Sequence, residues 1–160
     1  MKNSLVFLAA IVLAPAALTL EHVLAPPVAV AAPRIIMFYG GVLEERRYLT
    51  TFGENMRFMG AIAEPATITR GALAGRPFIE VALYWHNPTW EPYATDTALL
   101  KTLRPESGQP ARLYLGEGQH APLFDYHSAG ADPGLRTIAP TGLEILTRHN
   151  VPVHAERDDR

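Results

Sequence analysis

The clearest alternation in the chain is PFIEVALYW, Pro77 to Trp85. Ile79, Val81, Leu83 and Trp85 fall on one side of it, and Phe78, Glu80, Ala82 and Tyr84 on the other. A period of two is the period of a pleated strand, so this stretch predicts a central strand with two distinguishable faces. An almost unbroken apolar run, Arg34 to Tyr39, stops at Gly40 and Gly41 and predicts a second, buried strand. Three shorter runs follow later: RLYL at Arg112 to Leu115, PLFDYH at Pro122 to His127, and LRTI at Leu135 to Ile138. The connections GEGQHA and SAGADPG are short and turn-rich, which makes these strands antiparallel neighbours in a meander.

Elsewhere the apolar positions recur at helical spacing. In TTFGENMRFMGAIAEP, Phe52, Met56, Met59 and Ala63 form a stripe, Thr51 with Glu54 makes a capping box, and Pro65 ends the pattern. Asp96 is the N-cap of a short helix through Leu99, Leu100 and Leu103, which stops before Arg104-Pro105. A second capping box, Thr141 with Glu144, opens a helix through Leu143, Ile145, Leu146 and His149. Asn150 suits the left-handed position that ends such a helix, Val151-Pro152 leaves it, and a last short strand is expected at Val151 to His154. EERR at Glu44 to Arg47 reads as a solvated turn or strand end, and ATITRGALAGRP fits either a short helix or an irregular crossover. Strands and helices are interspersed while the second half runs as hairpins. The predicted class is α+β: a small, mainly antiparallel or mixed sheet with two or three short helices packed on it.

The N-terminus changes this picture. Lys2 precedes an apolar run from Leu5 to Leu20 that ends at Glu21 and His22, too short for a comfortable membrane span and of the right size for an export leader. Small-residue cleavage patterns end at Ala31 and at Ala16; the first defines residues 1–31 as a removed leader, 32–155 as one domain and 156–160 as a frayed charged tail. The alternative is an uncleaved anchor. A domain of that size holds one core. There is no cysteine, which excludes disulfides, thiolate metal sites and cysteine nucleophiles. The formal charge of −2 suits a phosphate backbone poorly, so nucleic acid is not an expected partner. The expected location is the bacterial periplasm or the medium, with no stable membrane span after processing.

No motif specifies a reaction. Asp125-Tyr126-His127-Ser128 holds the residue types of a hydrolytic triad, but in a strand Ser128 faces away from Asp125 and His127. His86, His120, Asp125 and His127 have ligand chemistry without ligand spacing, as neither H-E-x-x-H nor H-x-H occurs. Gly116-Glu117-Gly118 reads as a hairpin turn, and Glu80 with Glu91 lacks any companion motif that would make a glycosidase pair.

The densest chemistry lies in LYWHNPTWEPY, Leu83 to Tyr93, which holds both tryptophans. Trp85 belongs to the core face of its strand. Trp90 lies between Pro88 and Pro92, where regular pairing is impossible. A rigid turn presenting Trp and Tyr beside polar groups is a common way to hold sugar rings or protein partners. The expected ligand-binding residues are therefore His86, Asn87, Trp90, Glu91 and Tyr93, with Arg76 and the His120 turn as outside candidates. The opposing expectation is that Trp90 folds back as a lid on the core. The sequence reads as an exported binding module without cofactor, metal or catalytic residues, whose partner is a small molecule, a glycan or an envelope protein. Two alternatives stand beside it: a small metal-dependent or hydrolytic enzyme using the histidine and aspartate set, and a structural envelope protein without ligand.

Overall fold

The computed structural model describes residues 32–62, 64–126 and 134–155. The leader, His127, Ser128 and the charged tail lie outside these residues. Strand β1 (Pro33–Tyr39) turns back into a short β2 (Arg47–Leu49), and helix α1 (Phe52–Gly60) follows. A long connection carrying a 3-10 turn (Arg70–Leu73) leads to β3 (Phe78–Trp85). After β3 come a 3-10 turn (Pro88–Trp90), α2 (Glu91–Thr95), α3 (Thr97–Thr102) and a further 3-10 turn (Pro105–Ser107). Then β4 (Gln109–Tyr114), β5 (Leu123–Asp125), β6 (Leu135–Thr137) and α4 (Pro140–Arg148) complete the domain.

The strands form one six-stranded sheet in the order β2-β1-β3-β4-β5-β6. Every pairing is antiparallel. The α+β class and the β4-β5-β6 meander are as the sequence predicts.

The period of two in β3 becomes two separate cores. On the first face Ile79, Val81 and Leu83 join Ile36, Phe38, Leu113 and Phe124 beneath α1 and α4. Phe58 of α1 is the keystone, with its ring edge-on to Phe38 at 6.0 Å and to Phe124 at 5.9 Å. Helix α4 sits close because Gly142 has no side chain: a Cβ there would come within 2.7 Å of Ile138 and 2.9 Å of Ala61. On the second face two smaller clusters form. Ile35, Met37, Ala82, Tyr84 and Leu103 lie under the α2–α3 region, while Leu73, Tyr114, Leu123 and Leu135 lie under the Arg70 turn.

Between those clusters a row of polar residues crosses the sheet in register, Tyr39 opposite Glu80, Glu80 opposite Arg112, and Arg112 opposite Asp125. At the far side the connection from α1 covers the outer edge of β6. Thr137 donates its N–H to Glu64 O at 2.9 Å and Ala66 donates to Leu135 O at 3.0 Å. Those bonds satisfy an edge that would otherwise present bare backbone groups.

Helix α1 is rotated from its expected orientation. Its buried residues are Asn55 and Phe58; of the expected stripe, Phe52 and Met56 are exposed, Met59 packs against the core, and Ala63 lies outside the described residues. Thr51 is at the N-cap as expected, but its side chain caps nothing; the helix ends at Gly60, before Pro65. The second box fails too, since α4 starts at Pro140 with Ala139 at its N-cap and Thr141 inside it. Asp96 does cap α3, accepting from Ala98 N at 2.8 Å and Leu99 N at 3.3 Å. Asn150 takes the left-handed conformation, with φ of 54°. Of the last expected strand only a single bridge forms, between His154 and Gly116.

Candidate functional site

Two places concentrate chemistry, one at each end of β3. At the C-terminal end the structure brings His86, Asn87, Trp90, Glu91 and Tyr93 together. Asn87 caps the 3-10 turn, its Oδ1 accepting from Thr89 N at 3.0 Å and from Thr89 Oγ1 at 3.1 Å. Pro88 and Pro92 occupy first-turn positions, where a missing N–H costs nothing, so both fix the backbone without breaking it. Glu91 is anchored by Arg34, which donates from Nη2 at 2.8 Å, and His86 Nδ1 lies 4.0 Å from the other carboxylate oxygen.

The half-buried Trp90 ring meets Tyr84 edge-on at 5.1 Å and Tyr93 at 5.8 Å, roofing the small cluster on the second face. His86 and Asn87 are exposed beside it. Trp85 is half-buried on the first face, and its indole donates to Gln109 Oε1 at 2.6 Å.

At the N-terminal end of β3 lies a recess of about 530 Å³ between the Arg70–Pro77 arm and the second face. Its charged lining residues are Arg70, Arg76 and Arg112, with no carboxylate among the residues that line it. Each guanidinium is held in a different way. Arg70 makes a fork to the fully buried Asp125, donating from Nε at 3.0 Å and from Nη2 at 2.7 Å. Arg112 grips Glu80, with Nη2 donating to Oε1 at 3.0 Å, and lies 4.6 Å over the Phe78 ring. Arg76 binds only backbone: Nε and Nη2 donate to Leu115 O at 2.9 and 2.7 Å, and Nη2 to Ala121 O at 2.6 Å. Burial pulls the Arg76 guanidinium below its ordinary value, against a weaker opposite pull from Glu117.

Arg76 thus ties both ends of the turn that carries His120, joining the two outside candidates of the sequence. Arg70 and Arg112 escape sequence reasoning, because they stand on separate segments and gain meaning only through their carboxylate partners.

The histidine and aspartate set is not brought together where it is described. His86 sits at one end of β3 and the His120 turn beside the other, while Asp125 is engaged by Arg70. Among the described residues no group of three His, Asp or Glu is placed to hold a metal ion. Glu80 and Glu91 are apart, one paired with Arg112 and the other with Arg34.

Together these features define a cysteine-free α+β domain with helices on both faces of an antiparallel sheet and a distinct polar site at each end of its central strand. No family model, curated protein or solved structure matches the chain. Among the described residues no helix is long and apolar enough to cross a membrane.

Proposed function

We propose that the protein is an exported binding module, periplasmic or secreted, whose contact surface is the His86–Tyr93 end of β3. The observation that supports this is the presentation of Trp90: a half-buried indole on a backbone fixed by two prolines and an Asn87 cap, flanked by Tyr93, exposed His86 and a Glu91 carboxylate already held by Arg34. A preset aromatic face costs little side-chain entropy on binding, and neighbouring polar groups fix the orientation of what lies on it. In this reading Trp90 and Tyr93 stack on the apolar face of a sugar ring, while His86, Asn87 and Glu91 bond its hydroxyls.

The two tryptophans report on this directly. Titrating the protein with soluble glycans is expected to give a saturable change in tryptophan emission that disappears in Trp90→Phe, while Trp85 continues to emit in both. An emission spectrum that no glycan or envelope fragment moves would falsify the reading and leave Trp90 as a lid.

A further inference from the structure

We infer that the recess at the other end of β3 is a separate binding site for a small organic monocarboxylate, with the carboxylate on Arg76 and the apolar body on Phe78. The argument begins with charge. Three guanidinium groups line the recess, and two of them are matched by carboxylates behind the lining, Asp125 for Arg70 and Glu80 for Arg112. Among the described residues Arg76 makes no ion pair, and its bonds go to the neutral carbonyls of Leu115 and Ala121. Arg76 therefore presents a half-buried guanidinium to which no carboxylate is bonded among the described residues, and the pull of Glu117 on it is outweighed by burial, so the recess suits an anion of one negative charge.

Geometry favours a carboxylate. The Nη1 atom of Arg76 makes no hydrogen bond among the described residues, and neither does Nη1 of Arg70, so donors remain on two guanidiniums after their structural partners are satisfied. Arginine donors match the planar geometry of a carboxylate. The carboxylates behind Arg70 and Arg112 hold both forks in place, so little side-chain freedom is lost on binding.

The rest of the lining describes the ligand's body. Val42, Leu73, Pro77, Phe78 and Tyr114 supply apolar and aromatic wall, and the volume of about 530 Å³ is that of a small-molecule site. Gly41 shapes the mouth: its φ of 59° and the nearness of Phe78 O leave no room for a Cβ. A flat aromatic acid satisfies both the open donors of Arg76 and the Phe78 wall.

The test uses benzoate and its neutral isostere benzamide with the full chain, followed by calorimetry. Benzoate is expected to bind saturably and at least tenfold more tightly than benzamide, with affinity falling as salt rises. Arg76→Met is expected to weaken benzoate at least tenfold, with circular dichroism confirming the fold. Because Arg76 also braces the His120 turn, the comparison of acid with amide on the unaltered protein carries the test should that variant unfold. Trp90→Phe is expected to leave benzoate binding unchanged, which separates this site from the aromatic end. Equal binding of acid and amide, no saturation by benzoate, or a preference for inorganic phosphate each overturns the assignment.

Discussion

Asn55 has no solvent exposure, yet it sits on the packed face of α1 where hydropathy would place a leucine. Its amide donates to Pro33 O at 2.9 Å and to Arg34 O at 3.0 Å, where the pairing of β1 with β3 shifts register. The amide thus ties α1 to the start of β1, and a polar residue on the packed face is tolerated because its donors are used there. Asn55→Ala is expected to cost about 2–3 kcal/mol in urea unfolding, through the lost hydrogen bonds as well as the lost packing. Asn55→Asp is expected to cost more, since a carboxylate there faces carbonyl oxygens with no proton to give them. Tyr84 poses a similar case on the second face. Burial pushes its hydroxyl well above the ordinary tyrosine value, and it donates to Arg104 O at 2.7 Å. Tyr84→Phe is expected to lose about 1 kcal/mol while keeping the ring contact with Trp90.

At the scale of elements, α1 and α4 are stapled by Glu54, which accepts from Arg148 Nη1 at 2.8 Å and lies 3.1 Å from His149 Nε2. Burial works to raise this carboxyl, but the hydrogen bonds and charges of His149 and Arg148 outweigh it and hold it below its ordinary value of 4.5. A depressed carboxylate contributes stability that is complete above its unfolded pKa and is lost as pH falls through the folded one. Glu54→Gln is therefore expected to lower the melting temperature above pH 4.5 and to leave it unchanged at the most acid pH where the fold survives. The same glutamate explains why the capping box was misleading. Glu54 answers to a helix nearly a hundred positions away, which local spacing cannot reveal, whereas Asp96 caps α3 entirely within its own turn and was legible. Strand β3 was legible because its second face carries Glu80, paired with Arg112, and the Tyr84 hydroxyl, so the two faces differ in residue type. The three-residue β2 was legible only at its edge, where EERR reads as a turn or strand end and Arg47 does open the strand, since the strand itself is held chiefly by pairing with β1.

For the whole molecule, the aromatic end was legible because its five residues are neighbours in sequence. The arginine recess was not, as it is assembled from the 70–78 arm, β4 and the turn after β1. That arm owes its path to the pairing of Glu64 and Ala66 with β6. Thr137→Pro removes the N–H that bonds Glu64 O, on the side of β6 that faces away from β5. It is expected to cost about 1–2 kcal/mol, read as a lower melting temperature, with strand content by circular dichroism preserved.

The same pairing sets a clock during synthesis. Glu64 and Thr137 are 73 positions apart. At about 5–20 residues per second, roughly 4–15 seconds pass between the emergence of the arm and that of its partner strand. Through that interval the arm has no strand to lie against, although β1, β3 and β4 can already pair with one another. A protein wired in this way gains from being held extended until its last strand is made.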